Sequence, residues 1–199
     1  MAVDPSARVR GGRRGFGYRQ LRSAALPFEW QVTDGCMTVR HRRDPWRSAV
    51  ADRLFAALSE VQRAPYAVLA CQCVLLDEHN PAVPDVVVVN RAAVDLYAAE
   101  VLPADAAVLV VEIVSAGDRS DRWYRTPSRY AAAGIAYFWR VERGLDGRPI
   151  VYEYWLDHES RRYRPAPAYA HTGVLATTVP FPIRVDLADL LAGPDSNHP

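Results

Sequence analysis

Two short runs restrict what this chain can become. "VVVV" occupies residues 86–89, and "VLVVEIV" runs from Val108 to Val114. Both are rich in β-branched side chains, which suit strands. Neither alternates apolar with polar residues, so each predicts a strand buried on both faces, inside a sheet covered by helices. Glu112 interrupts the second run. A carboxylate there is costly unless it is paired, protonated or bound to a cation.

The flanking segments agree with a layered chain. Trp30–Thr33 and Met37–Val39 flank Asp34-Gly35, a strong hairpin signal. Between Trp46 and Gln62, Val50, Leu54, Leu58 and Val61 recur at helical spacing, and Asp44-Pro45 opens that helix. Val68–Leu76 alternates like a strand, and Asp95–Glu100 reads as a weak helix. "TPSRYAAAG" carries helix punctuation, with Thr126 as N-cap, Pro127 at the first helical position and Gly134 as the stop. An earlier turn over Ser120–Arg125 would place Pro127 inside the helix and kink it. Tyr137–Val141 and Ile150–Leu156 are strands about Asp146-Gly147, followed by "GVLATT" and "FPIRVDL". The expected class is α/β, a mixed central β-sheet flanked by helices, with extra C-terminal β segments.

The 199 residues suit one domain, expected over 27–192. Residues 1–26 hold six arginines (Arg8, Arg10, Arg13, Arg14, Arg19, Arg22) against Asp4, and read as a disordered basic arm. Residues 193–199 read as a flexible tail. The formal net charge of +1 does not advertise a polyanion partner for the chain as a whole. All 24 basic residues are arginine, so no lysine is available for chemistry.

Three cysteines, Cys36, Cys71 and Cys73, with no leader pattern, predict free thiols and a cytoplasmic setting. Cys71 and Cys73 are expected as small buried residues on one strand. No apolar run reaches the ~18 residues of a membrane helix. The five histidines are scattered without ligand spacing.

Asp85 precedes one buried strand after a proline, and Glu112 lies in the next. If the strands are neighbours, their carboxylates converge, and such oxygens suit a hard divalent cation. Asp85 also fits a turn cap. Glu112 also fits pairing with a buried arginine. Arg122, Arg125 and Arg129 are spaced to contact phosphates or to form a solvated basic face. Trp123, Tyr124 and Tyr130 suit base stacking or packing.

The ordered set of a D-G hairpin, a helix, "PDVVVV", "VLVVEIVS", "DR" and "P-x-x-Y-A-x-A-G-I-x-Y-F-W-R-V" resembles the Uma-type restriction endonuclease family of the PD-(D/E)XK nuclease superfamily. The resemblance spans Phe28–Leu191, and Pro84–Val141 carries most of it. It implies a restriction-endonuclease-like core and a hydrolase that cuts DNA with Mg²⁺, or Mn²⁺. Asp85 matches the first acid of the family and Glu112 the second, the pair that would hold the metal. Ser115 and Asp121 match supporting polar positions.

Three positions depart from the family pattern. Thr126 stands where the family has lysine, Gln31 where it has glutamate, and Arg47 where it often has histidine. Arg125 or Arg122 would then supply transition-state charge without acting as a base. Arg47 and Arg129 are expected to contact nucleic acid. A homodimer would suit cleavage of both strands. The alternative is a catalytically degenerate member that binds nucleic acid or protein.

Overall fold

The computed structural model describes residues 9–10, 15–23, 30–39, 44–114 and 119–191. In chain order the first elements are β1 (Val9–Arg10), α1 (Tyr18–Arg22), β2 (Trp30–Thr33), β3 (Cys36–Val39) and α2 (Pro45–Val61). Next come β4 (Tyr66–Ala70), β5 (Val74–Leu75), β6 (Pro81–Ala82), β7 (Val86–Asn90), β8 (Leu102–Pro103) and β9 (Ala107–Val114). The chain continues with α3 (Arg119–Ala132), β10 (Tyr137–Arg143), β11 (Pro149–Asp157), β12 (Arg162–His171), β13 (Val174–Thr177) and β14 (Ile183–Asp186).

Six strands form the central sheet in the order β12-β11-β10-β9-β7-β4. The pairing of β9 with β10 is parallel and the other pairings are antiparallel, so the sheet is mixed. The two valine-rich runs are neighbours at its middle, and Val86–Val89 are all fully buried. One face packs Val86, Val88, Val111 and Trp139 against Val50, Leu54 and Leu58 of α2. The other packs Val87, Val89, Val110 and Phe138 with Tyr130 and Ile135. Each fully buried leucine or valine contributes roughly 1.5–3 kcal/mol.

The start of α2 follows its sequence. Asp44 accepts a hydrogen bond from the Arg47 backbone N–H at 2.9 Å, and Pro45 opens the helix. The hairpin also forms as expected. Asp34 (φ 50°) and Gly35 (φ 71°) both take the left-handed conformation that a tight primed turn demands. Gly15 packs on this turn so closely that a Cβ there would lie 2.6 Å from the Gly35 Cα.

Several expectations are corrected. Of the two starts offered for α3 the earlier one holds: the helix begins at Arg119 with Pro127 in its interior, and Thr126 is not its cap. The apolar anchors Tyr130 and Ala131, both buried, lie near its far end, and the proline is tolerated inside the helix. Val68–Leu76 is not one strand. Cys71 takes φ 54° and ends β4, leaving Cys71 exposed and Cys73 half-buried rather than both inside. Asp95–Glu100 forms a turn instead of a helix, and the Asp95 carboxylate accepts from the Tyr97 N–H at 2.9 Å.

Part of the segment expected as a disordered arm is built into the fold. Leu21 of α1 is buried, and the Tyr18 N–H donates to the Glu78 carbonyl at 2.9 Å. The rest of the arm and the 193–199 tail lie outside the described residues. No helix among the described residues is long and apolar enough to cross a membrane.

Candidate active site

The register of β7 on β9 brings the two acids together. Val86 lies opposite Val111, and the Asp85 N–H donates to the Val111 carbonyl at 3.0 Å, so Asp85 extends the ladder beside Glu112. By alternation, Asp85 shares a face with Val87 and Val89, and Glu112 shares it with Val110. That face is the one Tyr130 covers.

Asp85 is fully buried and saturated. Its Oδ1 accepts from Arg47 Nε at 3.1 Å and from Nη2 at 2.9 Å. Its Oδ2 accepts from Arg47 Nη2 at 2.9 Å and from the Ile113 N–H at 2.7 Å. This bidentate fork is the geometry in which arginine binds a carboxylate best. Arg47 Nη2 also lies 4.0 Å from Glu112 Oε2. One guanidinium therefore serves both acids.

Glu112 is held from the face that α3 covers. The Tyr130 hydroxyl donates to Glu112 Oε1 at 2.7 Å. Tyr130 is fixed by the end of α3, where Gly134 (φ 84°) permits a tight C-terminal turn. The Gly134 N–H donates to the Ala131 carbonyl at 3.0 Å and the Ile135 N–H to the Tyr130 carbonyl at 3.2 Å. Tyr130 and Ile135 then bury together in the second core. Arg140 of β10 is the register partner of Glu112. Its guanidinium lies 5.0 Å from the Tyr152 ring and 5.6 Å from that of Tyr154, while its Nε meets Glu142 Oε1 at 2.6 Å.

This arrangement does not fit a divalent ion. A carboxylate has about four lone-pair positions, and donors already occupy those of Asp85. Among the described residues, no three His, Cys, Asp or Glu side chains gather as a metal cage.

The other candidates fall as follows. Arg47, expected to contact nucleic acid, is only 6% exposed and turned to the acids. Arg129 donates to Asp34 Oδ2 at 2.9 Å across to the hairpin turn. Asp121, Arg122 and Arg125 ride on α3, and Gln31 on β2, but their side chains lie outside the described set. Ser115 lies outside the described residues. The sequence reading left the role of Tyr130 between packing and stacking. Its place in "P-x-x-Y" before the Gly134 stop was the available signal.

The family model described as "Uma2: Putative restriction endonuclease" matches residues 18–185. A crystal structure from Anabaena variabilis ATCC 29413, described as a putative nuclease belonging to DUF820, shares the fold. Its TM-score is 0.64 at 13% identity, over 88% of this chain and 97% of that one. No curated protein matches the chain in sequence. The central mixed sheet is thus a restriction-endonuclease-like core. With the match covering most of its length, the chain belongs to the Uma2 family of putative restriction endonucleases.

Proposed function

We propose that this chain acts on DNA as an endonuclease that hydrolyses phosphodiester bonds at the Asp85–Glu112 centre. One observation carries the reading. Two buried acids from neighbouring strands meet on one face of the sheet, gripped by Arg47 from α2 and Tyr130 from α3. Two adjacent buried carboxylates are costly to a fold, and such costly, charge-coupled pairs mark candidate sites of chemistry. In this reading Glu112 takes the proton of an attacking water. Arg122 or Arg125, carried on the first half of α3, stabilises the charge that develops on phosphorus. Asp85 fixes Arg47 and so sets the charge around Glu112.

The test is cleavage of supercoiled plasmid and of single-stranded circles, with Mg²⁺ or Mn²⁺ supplied. Glu112→Ala is expected to lose about 100-fold or more in rate, the usual worth of a positioned base. An identically purified variant that cuts as fast as the wild type removes Glu112 from the reaction.

A second reading is favoured by the saturation of Asp85 and by the absence of lysine from the chain. Here the protein binds nucleic acid without cutting it. Affinity that falls steeply with salt, with intact DNA recovered at every cation concentration, would select this reading.

A further inference from the structure

We infer that Arg47 is the resident counter-cation of the acid pair, and that its hold on Asp85 excludes a divalent ion from that carboxylate. Two acids brought together in a sheet interior repel each other and need a positive charge nearby. Arg47 provides it from a fixed position. It stands in the first turn of α2, with its own N–H tied to Asp44. Its side chain is 7% exposed, and it donates to both oxygens of a fully buried Asp85. The Ile113 N–H completes the coordination of Asp85 from the backbone of β9. Arginine keeps its charge at any pH a protein meets, so this neutralisation is permanent. An ion could ligate Asp85 only after the guanidinium left, which would strand a buried charge. The chain thus completes its centre without a metal, and cation loading competes with an internal ion pair.

The inference goes beyond the nuclease reading, and binding measurements separate the two. The first measurement is the melting temperature of metal-free Asp85→Asn. If Arg47 holds Asp85, the amide replaces the close ion pair of a buried guanidinium and leaves it Glu112 at 4.0 Å, and the melting temperature falls by roughly 5–10 °C. Failure of this variant to fold has the same sign. If the acids are instead an uncompensated pair, removing one charge relieves repulsion and the melting temperature rises, which overturns the inference.

The second measurement is Mn²⁺ titration followed by electron paramagnetic resonance. Arg47→Met is expected to bind Mn²⁺ at least ten-fold more tightly than the wild type, and the gain should vanish when Asp85→Asn is added. Arg47→His serves if Arg47→Met does not fold. Equal Mn²⁺ affinity in wild type and Arg47 variant, lost in Asp85→Asn, would refute the competition. A wild type that cuts nothing while the Arg47 variant gains Mn²⁺ breaks the nuclease reading and leaves this one standing. A wild type that cuts and binds Mn²⁺ through Asp85 does the reverse.

Discussion

Glu112 and Glu153 are both carboxylates buried in the central sheet, and they face opposite cores. Glu112 lies under α3, whereas Glu153 pairs in register with Trp139 on the α2 side. Glu153 is 1% exposed, and its donors are near at hand. Trp155 Nε1 donates to its Oε1 at 2.9 Å, Thr177 Oγ1 donates to the same oxygen at 2.8 Å, and His171 Nε2 lies 3.3 Å from Oε2. These groups come from β11, β12 and β13, so Glu153 ties the C-terminal strands to the sheet. Glu112 instead joins β9 to the two helices that flank the sheet. It shares an arginine of α2 with a second acid, and its hydroxyl donor comes from α3, which packs on the opposite face of the sheet. A buried charge by itself therefore marks no site in this protein. Two acids sharing one cation are the feature on which the proposed centre rests.

This contrast can be broken by mutation. The largest effect is expected from Arg47→Ala, which leaves Asp85 buried without its partner. Urea denaturation should show a loss of about 3–5 kcal/mol. A loss below about 1 kcal/mol would mean that the arginine does not hold the pair. Glu153→Ala should cost about 3 kcal/mol by orphaning buried donors. It should leave DNA affinity per folded molecule unchanged, and altered affinity would erase the division of labour between the two acids. Tyr130→Phe removes only a hydroxyl from Glu112, and about 2 kcal/mol should go with it. If the nuclease reading holds, the same variant should slow cleavage more than it weakens DNA binding. Arg129→Ala breaks a part-exposed pair with Asp34. Its cost should stay below about 1 kcal/mol in thermal melts and fade with added salt.

The sequence exposed the centre of this protein unevenly. The middle of the sheet was legible because strands buried on both faces leave unbroken β-branched runs, as in Val86–Val89. The start of α2 was legible because Asp44 and Pro45 act locally. Asp85 and Glu112 could be named as a pair, since each interrupts or borders such a run. The inward turn of Arg47 was not legible, because it depends on where the first turn of α2 meets Asp85, 38 residues further along the chain. Glu153 was overlooked although it interrupts a strand as Glu112 does. Its neighbours Tyr152, Tyr154 and Trp155 tolerate partial exposure, which blurs the inside-outside alternation. The start of α3 was open between Thr126 and an earlier turn over Ser120–Arg125, because Pro127 suits a first helical position as well as an interior kink; the helix takes the earlier start.

The register of β7 against β9 has a consequence for how such a centre can change over time. Their pairing shifts at Val88/Val89, and from there Val86 meets Val111 and Asp85 stands beside Glu112. Side chains on a strand have a parity. One residue inserted before Glu112 would send its carboxylate into the core under α2. Two would restore the face but displace the acid by roughly 7 Å, out of the grasp of Tyr130. Substitution, by contrast, costs the register nothing. The place of the two acids is thus inherited as a count of residues, while the cation that serves them is open to replacement one codon at a time.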